Sequence, residues 1–564
     1  MIGLLLWTQF TAVAGTPDLA EVMISEMTRS GEQLQLDDMG PPWRISLDLV
    51  DIVQTHVVSD FGALMDERTQ DVDQPTRYLR VEVRQGGAEY DSGDYEGVRD
   101  ANMERLPTDL DGDYLRRKIW LQVDKAYKSA VAGFTRKKVA LSPEDVDRPA
   151  VAPALLPQRL SWPELALDQE WVRDLTLALS GVLRDFPGLE QGRAEGALGQ
   201  ARVLSVSTEG LRLNRIYPEL VFRVQAKIRA KDGSLLQNSR SWVARDRGEL
   251  PSKEVMLADV REMATWLVQS AESRVLEDYI GPVVFGEQAS VEFFRQLAMP
   301  EILGSPPPVE ARGVNSSRPA QPPRVARVGR RLLPEGWGLV DDATEKGVGH
   351  YAWDYEGVSP RRIQVIEDGI LREALMSRIP LDETSLSTGH GRSSGASRRV
   401  AMPARITIRP PRSVSERRLE RLALRQARAL GRDSVLVVRR MEPLALLSRF
   451  EIYFSGDEVP AGLTSPTEAY LLYRDGRREP VRSSRFLGVD RRAMRDIIAA
   501  GRPNAMRGVM DRHPSEMRYS LGWTSGLQSG WSTPSILVSE LELVSRPGGV
   551  KRVLSFEALE PDSP

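Results

Sequence analysis

The chain has 564 residues, 41% of them hydrophobic and 27% charged, with a formal net charge of -3 at pH 7. That length exceeds what one hydrophobic core serves, so at least two domains are expected. The near-neutral balance excludes an overall nucleic-acid footprint or an acidic tail and leaves recognition by charge to local patches. Cysteine is absent, which excludes disulfides, thiolate nucleophiles and cysteine-ligated zinc together.

The chain opens MIGLLLWTQFTAVAGTPD. The apolar stretch 2–7 followed by Ala12-Val13-Ala14 fits a signal peptide over 1–14, cleaved after Ala14, although no Lys or Arg precedes the apolar run. Export to a periplasmic or extracellular compartment is the expectation, with a cytoplasmic location as the alternative. No segment reaches the roughly 20 apolar residues that a membrane-spanning helix needs.

Residues 17–36 place Leu19, Val22, Met23, Met27 and Leu34 at helical spacing. Segments 45–64 and 76–86 are β-rich, with alternation clearest in Leu79-Arg80-Val81-Glu82-Val83. One long helix is predicted over 114–141, with Trp120, Val123, Tyr127 and Val131 toward the core, and another over 170–186. Strands dominate 201–246, where Asp232-Gly233 signals a hairpin, and a helix over 253–276 follows. A short strand at 282–285 leads into a helix carrying Phe293, Phe294, Leu297 and Ala298 on one side. Residues 303–336, with six arginines among clustered prolines, read as a mobile loop or linker; a basic binding arm is the sharper alternative. Beyond it, Asp368-Gly369 and Asp475-Gly476 mark hairpins, 535–544 is a strand, and helices are predicted over 415–430, capped by Ser415, and over 490–500, ended by Gly501. The sum is an α+β protein with a helix-containing N-terminal half and a strand-rich C-terminal half.

Chemistry is sparse. His56, His350, His390 and His513 are scattered, with no pair at the spacing of a metal-binding helix. Gly391-Arg392-Ser393-Ser394-Gly395 matches G-x-S-x-G, but its flanks are polar and basic, without the strand and helix that make a nucleophile elbow, and no Gly-Lys-Ser/Thr supports a phosphate loop. Asp354 and Glu356 lie two apart, on one side if the segment is a strand; the plain reading is a polar strand end entering a turn at Gly357.

The stretch HYAWDYEGVSPRRIQVIEDGILREALMSRIP, followed by STGHGR, resembles the signature region of the TldD/PmbA family (peptidase family U62, the modulators of DNA gyrase). Its D-x-E-G turn falls on Asp354, Glu356 and Gly357, its hairpin on 366–371 with Gly369, and its T-G-N/H-G-R loop on Thr388, Gly389, His390, Gly391 and Arg392. GPVVF at 281–285, the hairpin AYLLYRDGRREPVR, TPSILVSELEL and the N-terminal PPWRISLDLVDIVQTHVVSDFGAL are similar to further family segments in the same order. The resemblance implies a two-domain α+β subunit, here 15–278 and 279–564, that dimerises around a central cavity. It also implies metallopeptidase relatives that bind zinc or iron through H-E-x-x-x-H on the helix after the GPVVF strand, together with a C-terminal cysteine. On this chain those helix positions hold Arg295, Gln296 and Pro300, none of which is a metal ligand or base of that kind. The resemblance therefore implies a PmbA-like (TldE-like) subunit with no cofactor and no catalytic residue of its own. It would pair with a metal-bearing TldD-like homologue, or with itself, around a peptide substrate; neither nucleic acid nor membrane span is expected. Asp354, Glu356, Gly357, Gly369, Gly389, His390, Gly391 and Arg392 become the candidate residues of the peptide cavity. An active peptidase with an unrecognised metal site and a stand-alone scaffolding homodimer are the alternatives.

Overall fold

Alternation along the first strands builds a sheet with two different faces. The computed structural model describes residues 19–93, 101–140, 149–160, 166–306, 326–393, 399–443, 462–511 and 527–545; residues 1–14, expected from the sequence to be a signal peptide, residues 307–325 of the Pro/Arg-rich loop, Ser394 and His513 lie outside them. The strand Arg44–Asp60 is central, flanked by Thr76–Arg84 and Leu189–Ser207; Asn102–Leu106 and Arg212–Arg229 extend the sheet on either side. Ala63–Gln70, Leu235–Ala244 and the short Gln158–Arg159 complete its eight strands.

Successive strand residues point to opposite faces. Ile45, Leu47 and Leu49 therefore pack beneath helices α1 (Leu19–Gln33) and α2 (Gly112–Ala140). Further along the same face, Val57, Phe222 and Val224 pack beneath α3 (Gln169–Gly181) and α4 (Lys253–Glu272). The intervening residues Asp48, Val50, Ile52 and Gln54 belong to the other face, which turns toward the C-terminal half and lines a cavity.

The C-terminal half has two larger sheets. In one, the strand Tyr279–Phe285 lies between Ser434–Met441, parallel to it, and Pro534–Ser545, antiparallel. The other is six-stranded and contains Gly338–Asp341, Ile363–Glu367, Arg405–Arg409 and Leu527–Ser532. Helix α5 (Glu287–Ile302) follows Tyr279–Phe285 and shares one core with side chains of both sheets, Val283, Phe285, Leu436 and Val538 from one and Leu339, Val365, Ile406 and Trp531 from the other. Helix α6 (Glu416–Ala429) packs on the opposite face of the first of these sheets, over Val284, Val435 and Leu537.

Several sequence expectations need correction. No helix forms over 490–500. A single 3₁₀ turn, Arg491–Met494, starts from Asp490, whose carboxylate accepts the Arg492 N–H at 2.7 Å, and Ile497–Pro503 is a strand along Pro534–Ser545. The unpaired side of that strand was there to be covered, and tertiary pairing overrode the helix-like spacing. The helix over 253–276 ends at Glu272, because Arg274–Val275 pairs with Val481 and Arg482. Ser415 occupies the N-cap position of α6 without a side-chain capping bond. The part of the predicted linker at 326–336 is anchored: Leu332 and Leu333 are buried, and both their N–H groups donate to the Gly369 carbonyl. Residues 351–358 form a loop instead of a strand end, and both its carboxylates are buried.

Phe294 is fully buried, edge-on to Phe293 at 5.3 Å and near Trp337 at 6.4 Å. Phe294→Ala is expected to lower stability by about 3–5 kcal/mol, read as a shift in the urea midpoint at unchanged slope; an unmoved midpoint contradicts the packing assignment.

Candidate functional site

Helix α5 is enclosed, so its polar side must be satisfied inside the protein. Arg295, 5% exposed, places its guanidinium between two buried carboxylates, 2.5 Å from Glu292 and 2.7 Å from Asp511, and donates to the Met510 carbonyl at 2.7 Å. Asp511 in turn accepts from the Ser529 hydroxyl and from the Trp531 indole N–H. Gln296 donates to Glu292 at 3.1 Å and to the Thr464 hydroxyl at 2.9 Å, while its carbonyl accepts the Thr464 N–H at 2.7 Å. Pro300 falls in the last turn of the helix. Burial pushes the Glu292 carboxyl up, only partly offset by Arg295, and the two carboxylates hold Arg295 firmly protonated against its own burial.

These residues do not fit a metal. A guanidinium has N–H donors and no lone pair to give, and it already occupies the space between the two carboxylates. Among the described residues no group of three or more His, Asp or Glu is placed to hold a metal ion, and the chain has no cysteine.

The signature residues form a second cluster. Asp354 is fully buried and ties its own loop to the segment at Gly391: one carboxylate oxygen accepts the N–H groups of Glu356 (2.9 Å) and Val358 (2.8 Å), the other that of Gly391 (2.8 Å). Burial, with the Glu356 carboxylate beside it, holds Asp354 above the usual carboxylate range despite these donors. Gly357 has φ +81° and Gly389 φ +76°, the left-handed region that glycine enters without strain. Gly391 is required for a different reason: a Cβ there would lie 2.1 Å from the Glu356 carboxylate.

His390 is fully buried, with Nδ1 2.9 Å from the Thr388 hydroxyl and Nε2 3.4 Å from Asp341. Burial raises Asp341, but His390 and the N–H groups of Ala404 and Arg405 outweigh it and leave the carboxyl below its ordinary range. Arg392 donates to the carbonyls of Pro403 (2.9 Å) and Gln528 (2.8 Å) and lies 5.1 Å over the Tyr351 ring. Gly369 stands apart from this cluster, at the hairpin turn, where its N–H meets the Trp337 carbonyl at 2.7 Å.

The structure thus joins Asp354, Glu356, Gly357, Gly389, His390, Gly391 and Arg392, and keeps Arg295, Gln296 and Pro300 in a separate group. The strand Leu527–Ser532 touches both, through Ser529 and Trp531 on Asp511 and through Gln528 on Arg392.

A cavity of about 460 Å³ lies between the open face of the first sheet and these loops. Its sheet wall includes Asp48, Arg80, Arg215, Tyr217 and Glu219; the loops add Tyr351, Tyr355, Arg392 and Arg399. Arg215 donates to the Asp354 carbonyl and to Ser205 (2.7 Å), Arg399 to Asp48, and the Tyr217 and Tyr355 rings lie 4.6 Å apart. Glu219 lines the cavity half-buried, and its removal from water by the surrounding protein pushes its carboxyl up to about 8. Arg215, Tyr217, Glu219 and Arg399 were not singled out from the sequence. The alternation of 212–229 does carry a signal, since 215, 217 and 219 share a face.

An ion network connects the loops to the sheet. The Arg378 N–H donates to Glu356 at 2.6 Å and its guanidinium grips Glu209 at 2.6 and 2.9 Å. Glu209 pairs with Arg44 (2.6 Å), Arg44 reaches Glu82 (3.5 Å), Arg80 bridges Glu82 (3.0 Å) and Asp48 (3.2 Å), and Asp48 meets Arg399.

Comparison with known proteins follows the same lines. Residues 282–545 match the PmbA/TldA metallopeptidase C-terminal domain. A metalloprotease of Methanocaldococcus jannaschii is 34% identical over 86 residues, a stretch that spans 15% of this chain and 19% of that relative. Among solved structures, TldE from Thermococcus kodakarensis superposes with a TM-score of 0.56 at 14% identity, covering 93% of this chain and 100% of the other. A candidate modulator of a DNA gyrase from Thermotoga maritima gives 0.55 at 14% identity, covering 89% and 96%. One from Bacteroides thetaiotaomicron gives 0.56 at 11%, covering 93% and 98%. At these identities the structural likeness speaks for the fold.

Removing the cation from α5 strands two buried carboxylates. Arg295→Ala is expected to cost about 3–5 kcal/mol in chemical denaturation, with Arg295→Lys intermediate because an ammonium cannot fork between both partners. For Glu219, a carboxyl raised in the folded state binds its proton more tightly than in the unfolded chain. Stability should therefore fall as pH climbs from the ordinary value of 4.5 to about 8 and level off above it. Glu219→Gln should flatten that slope in thermal melts recorded between these limits; an unchanged slope would reject the assignment.

Proposed function

We propose that the chain, whose residues 282–545 match the PmbA/TldA metallopeptidase C-terminal domain and whose fold is that of TldE and its structural relatives, is a non-catalytic, PmbA-like subunit of the TldD/PmbA family that pairs with a metal-bearing homologue. Together they would enclose a peptide-processing chamber, with residues 15–278 and 279–564 as the two domains of this subunit. The observation that carries this reading is Arg295. At the position where the resemblance puts a metal ligand, a guanidinium is ion-paired on both sides within a closed helix environment, so the positive charge is built into the chain. The likeness to Thermococcus kodakarensis TldE supports the same reading. An extended peptide would be held along a free strand edge by backbone hydrogen bonds, as in strand-addition recognition. The N-terminal sequence supports export, which would place this processing outside the cytoplasm.

The test uses the purified full chain alone and co-expressed with a homologue carrying H-E-x-x-x-H. Alone, it should contain no stoichiometric zinc or iron and show no chelator-sensitive peptide cleavage. The co-expressed pair should copurify as a heterodimer and cleave in a chelator-sensitive manner. Stoichiometric metal with chelator-sensitive cleavage by the single chain would overturn the proposal, and failure of the two chains to associate would overturn the pairing.

A further inference from the structure

The cavity beneath the first sheet carries more positive charge than its own acids use. Among the described residues five arginines line it, Arg80, Arg215, Arg245, Arg392 and Arg399, against two acids, Asp48 and Glu219. Asp48 is fully engaged, by Arg80 at 3.2 Å and by Arg399. Glu219 does not offset the rest at neutral pH, because burial keeps it largely protonated below about 8. Arg215 and Arg392 are 7% and 6% exposed, and among the described residues neither has a carboxylate within ion-pair distance. Their terminal nitrogens go to neutral groups, Ser205 and the Asp354 carbonyl for Arg215, the Pro403 and Gln528 carbonyls for Arg392.

Polar atoms in this wall are also left without partners. Among the described residues the Nε of Arg215, the Nε of Arg392, one terminal nitrogen of Arg399 and the Tyr217 hydroxyl are shut off from water and make no hydrogen bond, whereas buried donors are nearly always paired. Each of these is a donor, or for tyrosine can be one, and guanidinium donors in a fork match the geometry of carboxylate and phosphate oxygens. Tyr217, Tyr351 and Tyr355 add aromatic surface for a planar or apolar body. The volume of about 460 Å³ suits a ligand of small-molecule size.

We propose that this cavity is a binding site for a small organic oxyanion, with a carboxylate or phosphate group between Arg215 and Arg392 and the ligand body against the tyrosines. The site is separate from the α5 cluster. It does not depend on whether the chain has a catalytic partner, so either idea can fail alone. Two sources share the required chemistry, the C-terminal carboxylate of a short peptide and a phosphate-bearing metabolite.

Calorimetric titration and thermal shift of the full chain at pH 7 and low salt test the site with three probes: an N-acetylated dipeptide with a free carboxylate, the same dipeptide as its C-terminal amide, and inorganic phosphate. The carboxylate, the phosphate or both should bind and raise the melting temperature, and the amide should not. Binding of one anion alone identifies the source. Arg215→Gln should weaken binding at least tenfold. Because that variant also loses bonds to its neighbours, Ala201→Glu provides the second arm. Ala201 lines the cavity beside Tyr217, its partner on the neighbouring strand, so a carboxylate there should occupy the place of the ligand, raise the melting temperature of the unliganded chain and abolish the response to the anions. Absence of binding by both anions, equal binding of the amide, or an undiminished response in Ala201→Glu would overturn the proposal.

Discussion

The C-terminal half is organised by the requirement that α5, enclosed on every side, have no unsatisfied polar group. A helix with an apolar stripe on one side usually turns its polar side to water. Here Gln288, Ser290, Glu292, Arg295 and Gln296 are buried along with Phe293 and Phe294. Glu292 is held within the helix by Arg295 and Gln296, and the other four meet partners from other parts of the chain: Gln288 the Met441 backbone, Ser290 Thr533 and the Pro534 carbonyl, Arg295 Asp511, and Gln296 Thr464. The packing of both neighbouring sheets is fixed by these few directional contacts as much as by the apolar core, since a small shift of the helix would leave several buried groups unpaired at once.

The two halves are joined by the same kind of interaction. The series Glu356, Arg378, Glu209, Arg44, Glu82, Arg80, Asp48 and Arg399 starts with one backbone bond, from the Arg378 N–H to Glu356, and continues through ion pairs across the interface. Elsewhere Glu468, fully buried, takes Asn238 at 2.8 Å and Arg240 at 2.7 Å from the first sheet. Buried ion pairs give little net stability over well-packed apolar contacts, because desolvation costs nearly what the attraction returns. What they do enforce is registry: a sliding or rotated interface would leave carboxylates and guanidinium groups facing apolar surface. The cavity owes its fixed shape to this restraint, since its sheet wall and its loop wall come from opposite sides of the joint.

Much of this was readable from residue order. The apolar spacing in α1 and α2, the alternation around Leu79, and the turns at Asp232-Gly233, Asp368-Gly369 and Asp475-Gly476 are local signals, and local signals survive folding. The signature loops were also legible, and so were the substitutions at Arg295 and Gln296. What could not be read was how such residues would be paired. Nothing near Arg295 in sequence announces Asp511, and nothing near Arg378 announces Glu209. The strand at Ile497–Pro503 was misread for a related reason: its Ile-Ile-Ala-Ala run suits a helix as well as a strand, and the deciding partner, Pro534–Ser545, lies farther along the chain. The cavity arginines were missed because an arginine in an alternating strand is ordinarily a solvated residue.

The arrangement of α5 bears on the order in which the molecule can be made. Every strand of the first sheet lies between residues 44 and 244, so that sheet has its strand partners and its covering helices once α4 has left the ribosome, while its ion pairs to the C-terminal half, such as Glu209 with Arg378 and Arg240 with Glu468, form later. Helix α5 still lacks its partners at that point. Its polar groups wait for Thr464, Asp511 and Thr533, and its apolar groups for Trp531 and Val538. At usual rates of synthesis that interval is on the order of tens of seconds, during which a helix rich in phenylalanine and buried charge has no finished environment. A helper that shields newly made chain, or a pause in translation, would matter most in that window.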